Sequence, residues 1–227
     1  MGLLLAIETT TKNCSVALFE DGNLLQLKEQ VSDKYSHAEH LILFIEEVLH
    51  QSNITLKKID GIVLSKGPGS YTGLRIGTST AKGLCYSLDI PLISISTLRG
   101  MAFQMAKEVD YDFFCPMIDA RRMEVFSSVY NKSNNQLRDI RAETVEENTY
   151  IKFLKKKVLF FGDGALKCQT IINHTNANFI EGVFPSARNI GLLAFEKFMN
   201  KDFEDVAYFE PYYLKDFVAG NSKKKKN

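Results

Sequence analysis

The chain has 227 residues, of which 45% are apolar and 24% charged, with a formal net charge of +1. This composition is typical of a folded globular protein with one large core or two small ones. It excludes a chain-wide basic footprint for nucleic acid, and no apolar run approaches the ~20 residues that span a bilayer.

The first part of the chain predicts the element order βββαβαβα. The apolar start, residues 3–7, lacks a basic flank and meets Glu8, so it predicts a buried strand rather than a signal peptide. Asp21-Gly22 is a strong hairpin signal between the next two strands. The predicted strands are 3–7, 15–19, 24–30, 59–64 and 92–95, and the predicted helices are 36–51, 74–84 and 97–108.

The second part predicts the same order in a less complete form. Its predicted strands are 113–118, 124–130, 136–142, 158–161 and 178–180, and its predicted helices are 146–155, 165–172 and 185–199. A tight turn is expected at Ala120-Arg121. Two such units in tandem predict an α/β protein with mixed sheets of the actin-like (ribonuclease H-like) fold. The expected domains are 1–110, 111–214 and a Lys-rich, disordered tail, 215–227, which serves solubility or adds weak attraction to RNA phosphate.

The most informative stretch is the glycine-rich segment 66–77, between a predicted strand and a predicted helix. A Walker A loop is excluded because no Lys-Ser or Lys-Thr pair follows the glycines at the required spacing. A dinucleotide-binding turn fits only loosely, because Asp89 precedes the next strand instead of ending it. Ser70 and Thr72 are candidate helix caps.

Small residues form a ridge on the helix after this segment. Gly73, Gly77 and Ala81 recur every four residues, with Thr80 beside them. Such a ridge lets another backbone approach closely. Two uses remain open: packing of the helix on its own sheet, or contact with a helix of another chain.

Several segments together resemble one family. They are residues 5–11, 67–77, 81–84, 116–122, 161–165, 185–187 and 211–214. The chain resembles the TsaB (YeaZ) family of bacterial tRNA threonylcarbamoyladenosine biosynthesis proteins over about residues 3–215. The family is also grouped with the M22 "glycoproteases", a historical label that implies no proteolysis here.

The resemblance implies an actin-like fold and a non-catalytic scaffold in the cytoplasm. The implied partner is the catalytic paralogue TsaD, which transfers a threonylcarbamoyl group to the adenosine beside the tRNA anticodon. An ATPase, TsaE, completes the complex, and tRNA is reached indirectly through it. ATP and metal are implied for those partners, and no cofactor is expected for this chain alone.

Departures from actin-like ATPases predict a degenerate nucleotide site. Glu8 stands where the family has Asp, and the following loop, which begins at Thr9, lacks glycine. The matching positions of the second half are Asp119, Gly162 and Gly164.

Arg121 and Arg122 replace the small turn expected after Asp119. Their guanidinium groups suit phosphate or acidic side chains, and ion pairs are the more ordinary use. His37 and His40 are spaced i, i+3 without an obvious third ligand, so no metal site is expected. No nucleophile elbow is present, because Ser70 has no assignable base.

The expected partner interface lies on two helices. Its residues are Gly73, Arg75, Ile76, Gly77, Thr80 and Ala81 on one helix, and His37, Leu41 and Phe44 on the other. Without TsaD the same face is expected to form a symmetric homodimer. The alternatives are a stand-alone actin-like ATPase or kinase, an M22-type peptidase homologue, and a direct RNA-binding module.

Overall fold

The computed structural model describes residues 2–32 and 36–215. Within these residues, ten strands form two five-stranded mixed sheets. The first sheet contains β1 (Leu3–Glu8), β2 (Asn13–Glu20), β3 (Asn23–Val31), β4 (Gly61–Ser65) and β5 (Leu92–Ile95), in the order β3-β2-β1-β4-β5. The second contains β6 (Phe113–Asp119), β7 (Glu124–Asn131), β8 (Gln136–Thr144), β9 (Val158–Phe161) and β10 (Ala177–Ile180), in the order β10-β9-β6-β7-β8.

The two sheets share one topology, because β6 to β10 occupy the positions of β1 to β5. In each, a central strand pairs antiparallel with the second strand and parallel with the fourth. Asp21 and Gly22 both have positive φ (49° and 79°), as the predicted two-residue hairpin requires. The predicted duplicated α/β architecture is therefore confirmed.

In the described part of the chain, four α-helices cover the sheets: α1 (His37–Gln51), α2 (Tyr71–Leu88), α3 (Thr97–Glu108) and α4 (Ala187–Met199). Helix α2 is longer than predicted at both ends. The Ser70 side chain caps it by accepting a hydrogen bond from the Gly73 N–H, whereas Thr72 lies inside the helix. Ser186 likewise caps α4, one position before the helix.

Helices α3 and α4 form a layer between the two sheets. Leu98 and Met101 of α3 pack with Phe114 of β6, on the second sheet. Ile190 of α4 packs with Leu4 of β1, on the first sheet. Each helix therefore covers the sheet of the other half of the chain.

Two predicted helices are wrong. Residues 146–155 form consecutive turns closed mainly by i to i+3 hydrogen bonds, such as Ile151 N–H to Asn148 O (3.2 Å). The run Asn-Thr-Tyr-Ile at 148–151 consists of weak helix formers, which favours these turns over a full α-helix. Residues 165–172 contain only the short 3₁₀ helix Leu166–Cys168, a geometry common in connectors.

Four cysteines, Cys14, Cys85, Cys115 and Cys168, are buried and form no disulfide. Burial raises the pKa of the Cys14 and Cys85 thiols to about 12, which keeps them protonated and unreactive. Apart from Lys215, the predicted tail lies outside the described residues. In the described part of the chain, no helix is both long and apolar enough to cross a membrane.

Candidate functional site

The carboxyl end of β1 is the position where an actin-like ATPase would hold phosphate and magnesium. Glu8 is there, and its side chain is 0% exposed. One carboxyl oxygen accepts hydrogen bonds from the Thr10 N–H (2.7 Å) and the Thr10 hydroxyl (2.5 Å). Burial raises the pKa of Glu8 despite these bonds, because desolvation disfavours the charged form.

The turn after Glu8 is sealed by neighbouring elements. The Ser70 N–H donates to Thr10 O (2.7 Å), and the Thr9 hydroxyl donates to Gly73 O (2.8 Å). His37 Nε2 forms a hydrogen bond with Thr11 O at 2.7 Å. The backbone of this turn is thus already hydrogen-bonded to the glycine-rich segment and to the start of α1.

The glycines of that segment permit this close contact. A Cβ at Gly69 would lie 2.3 Å from Thr10 O, and one at Gly73 would lie 2.0 Å from Thr9 O. A Cβ at Gly77 would meet the Thr9 hydroxyl at 2.4 Å. Only glycine allows such an approach, so the segment packs against the turn of its own chain.

This geometry does not fit a magnesium–phosphate group. The Glu8 carboxyl is enclosed, and the loop that would cradle phosphate lies under the glycine segment.

The equivalent strand end in the second half is occupied differently. Asp119 is about half exposed and accepts a hydrogen bond from the Arg121 N–H (3.0 Å). The Lys167 amine forms an ion pair with Asp119 and donates to Arg122 O (2.9 Å) and Glu124 O (2.6 Å). The lysine therefore stands beside the carboxylate and closes the turn between β6 and β7.

Gly162 and Gly164 also serve close packing. Gly162 has φ 104°, and a Cβ there would lie 2.3 Å from Met117 O. A Cβ at Gly164 would lie 2.9 Å from the Asp119 nitrogen. Between these glycines, Asp163 accepts a hydrogen bond from the Asp119 N–H (2.9 Å). Desolvation of its carboxyl group, together with the nearby Asp119 charge, raises the pKa of Asp163.

Sequence reasoning missed three charged residues at this end. Lys167 and Asp163 complete the second strand end, and Lys12 of the first half lies close enough to lower the pKa of Asp163. The glycines of residues 161–165 were a usable signal, because they mark the loop on which Asp163 sits. The position of Lys12 depends on the packing of the two halves, which one sequence does not show.

The predicted interface residues separate into two groups. The structure buries Gly73, Gly77, Ala81, His37, Leu41 and Phe44 inside the chain. Arg75 is exposed, and Ile76 and Thr80 are half-buried. The ridge is therefore used within the chain, and the six buried residues cannot themselves form a contact surface. The interface stays a prediction, which depends now on the outward faces of the same helices.

The outward faces of α1 and α2 contain exposed apolar side chains and an open space at one glycine. On α2, a Cβ added at Gly83 would meet no atom of the described residues within 4 Å, and Tyr86 is 88% exposed. On α1, Ile42 and Leu43 are 51% and 56% exposed. The N-terminal ends of the helices are neighbours, since a Cβ at Gly73 would lie 3.4 Å from His37.

His37 and His40 of α1 contact other groups of the protein. His40 stacks on Phe44 with ring centroids 5.6 Å apart. Burial lowers the pKa of His37, which favours the neutral ring. Within residues 2–32 and 36–215, no group of three His, Cys, Asp or Glu side chains is placed to hold a metal ion.

Comparison with known proteins identifies the family. The sequence profile described as TsaD, tRNA N6-adenosine threonylcarbamoyltransferase, matches residues 32–221. The Bacillus subtilis protein named tRNA threonylcarbamoyladenosine biosynthesis protein TsaB is 33% identical, over 74% of this chain and 74% of its own length. The chain belongs to the TsaB (YeaZ) family. The resemblance drawn from the motifs is therefore confirmed.

Two further comparisons concern a transferase relative and a solved structure. A tRNA N6-adenosine threonylcarbamoyltransferase of Fervidobacterium nodosum is 34% identical, but the match covers 44% of this chain and 34% of the transferase. A crystal structure from Pseudomonas aeruginosa, of an uncharacterized protein with similarity to peptidase YEAZ, has a TM-score of 0.84. It is 25% identical and covers 95% of this chain and 100% of its own. The TsaB family chain thus has the α/β, actin-like fold of two mixed sheets with flanking helices.

Proposed function

We propose that this chain is a non-catalytic subunit of the bacterial machinery that makes threonylcarbamoyladenosine in tRNA. It would act in the cytoplasm by binding and activating a TsaD-type transferase, together with a TsaE-type ATPase. The observation that carries the proposal is the sealed strand end at Glu8. An actin-like protein without an open phosphate site would not catalyse phosphate chemistry at that site, but its surface would still be available to bind other proteins.

The outward faces of α1 and α2 support the choice of contact surface. Glycine inside a helix costs about 1 kcal/mol relative to alanine. Gly73 and Gly77 offset that cost by close packing within the chain, whereas nothing in the described part of the chain uses the space at Gly83. A partner helix lying across Gly83 would use that space and cover Tyr86, and a contact that extends to α1 would cover Ile42 and Leu43.

The same face would form a symmetric homodimer when the transferase is absent. TsaB and TsaD share a family profile, so an α1–α2 pair of the paralogue would replace that of a second copy. The two assemblies would then compete, and adding the transferase would convert the homodimer into a heterodimer. Light scattering during such a titration would follow that exchange.

The decisive experiment is reconstitution of tRNA modification from TsaD, TsaE and a source of threonylcarbamoyl-AMP. We expect full modification only when this chain is present, and none from this chain alone. Metal-dependent ATP turnover by the purified chain, abolished by Asp119→Ala, would instead support the stand-alone ATPase. Unchanged modification after omission of the chain would contradict the proposal.

One variant tests the surface. Gly83→Glu places a long charged side chain on the outer face of α2 and, as a better helix former than glycine, leaves the helix intact. We expect loss of co-purification with the transferase and loss of modification. Ser133→Glu adds the same charge to the exposed β7–β8 turn and should change neither. Equal behaviour of the two variants would exclude this face of α2.

A further inference from the structure

A groove lies between the two halves of the chain, bordered by segment 204–212, which follows α4. Its volume is about 570 Å³, within the range of roughly 300–1,000 Å³ that ligand sites occupy. Lys66 and Ser96, at the carboxyl ends of the parallel strands β4 and β5, line one side, and β8 lines another. Such strand ends, and junctions between two halves of a protein, are the usual places of ligand sites. The proposed function does not use this groove.

The walls of the groove are fixed by hydrogen bonds. The Glu204 N–H donates to Leu92 O (2.8 Å), on the edge strand β5. The Tyr212 N–H donates to Lys66 O (2.7 Å). Between these points, the amine of Lys82, on α2, donates to two further carbonyl groups of the segment, at 3.0 and 3.1 Å. The chain therefore forms the groove by itself.

The groove has more negative than positive charge. Its charged lining residues are Asp139, Glu204, Glu210 and Lys66. One carboxyl oxygen of Glu204 accepts a hydrogen bond from the Ser94 hydroxyl, which holds that group in place. The carboxyl groups of Asp139 and Glu210 form no hydrogen bond or ion pair within residues 2–32 and 36–215. These two groups are thus available to a cation.

Aromatic rings border these carboxylates. Phe209 and Pro211 are buried and supply an apolar part of the lining. Tyr208 and Tyr212 also line the groove, and they are 85% and 43% exposed. A ring face attracts a cation through its quadrupole, and apolar lining suits the aliphatic stem of a long side chain. The groove therefore fits a cation on an aliphatic stem better than a bare inorganic ion.

A buried hydroxyl without a partner lies beside the groove. Tyr130 is 1% exposed, and its hydroxyl has no hydrogen-bond partner of normal geometry among the described residues. Burial raises the pKa of Tyr130, and the hydroxyl of Ser96, which lines the groove, is near enough to oppose that rise. An unsatisfied buried polar group costs stability, so a hydrogen-bond donor entering the groove at Ser96 would reduce that cost. This observation is independent of the charges and also favours a ligand with many donors.

We propose that this groove binds the side chain of an arginine from a partner protein. A guanidinium group has five N–H donors and no acceptor, which suits two free carboxylates and an unsatisfied hydroxyl. It forms paired hydrogen bonds with a carboxylate and stacks on aromatic rings such as those of Tyr208 and Tyr212. The ammonium group of lysine matches the charge but neither the pairing nor the stacking.

A protein is favoured as the source of the cation because the groove adjoins the proposed contact surface. Lys82, which fixes segment 204–212, directly precedes Gly83 on α2. A partner that covers Gly83 and Tyr86 would therefore lie beside the segment that borders the groove. The identity of this partner, a TsaD-type transferase, rests on the proposed function.

Titration of the full chain with N-acetyl-arginine methylamide, followed by NMR at low ionic strength, tests the site. We expect saturable shifts of amide signals in segment 204–212, and severalfold weaker binding of N-acetyl-lysine methylamide. The groove variant, Asp139→Asn with Glu210→Gln, should bind the arginine probe about tenfold more weakly, because it removes both free carboxylates. Glu146→Gln with Glu147→Gln is the matched control. It removes two exposed carboxylates that do not line the groove and should leave binding unchanged.

The source of the arginine is tested in the complex. The groove variant should associate with the TsaD-type transferase about tenfold more weakly than the control variant does. Spermidine tests the alternative, a free polyamine. Spermidine binding that the groove variant abolishes, together with unchanged association with the transferase, would make the groove a polyamine site and overturn the inference. Absence of arginine binding would overturn it too, and so would equal losses in the groove variant and its control.

The outcome is separable from that of the proposed function. Gly83→Glu should abolish association with the transferase but leave binding of the arginine probe by the free chain unchanged. Dependence of tRNA modification on the chain, with normal association and activity of the groove variant, would overturn this inference and leave the proposed function standing. Modification that does not need the chain would contradict the proposed function, whereas the titration of the isolated chain would still decide whether the groove binds a guanidinium group.

Discussion

Glu8 is the residue that bears most directly on the proposed absence of a nucleotide site. A carboxyl group that helps organise magnesium must be charged and reachable, and this one is neither open to solvent nor favoured in its charged form. The Thr10 N–H and hydroxyl bond to one carboxyl oxygen, so the group serves the turn that follows it. The retained carboxyl is therefore structural in this chain.

We predict a pH-dependent effect of Glu8→Gln. The folded-state pKa of Glu8 is raised, so the folded chain holds this proton longer than the unfolded chain does. Its contribution to stability is complete below the unfolded pKa, about 4.3, and is lost as pH rises toward the folded pKa. Glutamine keeps the acceptor for Thr10 and never ionises. The unfolding free energy of the variant should therefore increase relative to that of the wild type as pH rises.

Urea unfolding of both proteins between about pH 4.5 and 8 measures this difference. The variant's advantage should grow across the range and level off above the folded pKa. A difference that is constant with pH would mean that Glu8 is ionised in both states, contrary to its burial. Glu46→Gln, at an exposed residue of α1, controls for general effects of removing one carboxylate.

At the scale of elements, glycine is required on one face of α2 and is not required on the other. The inner face touches the turn after β1, where the space for a side chain is absent. The outer face is open at Gly83. One helix thus contains glycines required by its own fold and a glycine that its own fold does not require.

We predict opposite stability effects for alanine at these positions. Gly83→Ala should raise the unfolding free energy of the chain by about 1 kcal/mol, because it adds helix propensity without a clash. Gly73→Ala should lower it by about 2 kcal/mol, because the methyl group meets the Thr9 carbonyl in a turn that is fixed by hydrogen bonds. Chemical denaturation at one protein concentration compares them. A stabilising Gly73→Ala would show that the turn can move aside.

The sequence predicted the existence of α2 but not its orientation. Helical periodicity groups Gly73, Gly77 and Ala81 on one face, but it does not tell whether that face meets the chain's own backbone or another molecule. Strands were predicted well because their apolar runs are bounded by turns. The helix predicted over 146–155 was wrong because its apolar residues pack on the second sheet from a series of tight turns and not from one face of a helix.

At the scale of the whole molecule, α3 and α4 do not pack on the sheet of their own half of the chain. Strand order within each sheet follows from the repeated βββαβαβα pattern, and this much was predictable. The exchange of α3 and α4 between the sheets was not, because contact between distant segments has no local signature. This packing also concerns the predicted domain boundary at residue 110. That boundary would place α3 and α4 each in a different domain from the sheet that it covers.

We predict that the chain unfolds as one cooperative unit. Leu98 and Met101 of α3 are buried against the second sheet, and Ile190 of α4 is buried against the first. Loss of either sheet would expose the helix packed on it, so neither half should be stable alone. Calorimetry should give a single transition whose van't Hoff and calorimetric enthalpies agree.

Two core variants sharpen this test because they lie on opposite helices. Met101→Ala and Ile190→Ala should each lower the unfolding free energy by about 2–5 kcal/mol, and both should move the same single transition. Each effect should appear equally in hydrogen exchange of β1 and of β6, although each side chain touches one sheet directly. Separate transitions, with each variant shifting one of them, would show two independent domains. Coupled unfolding would mean that the layer of α3 and α4 joins the two sheets into one cooperative unit.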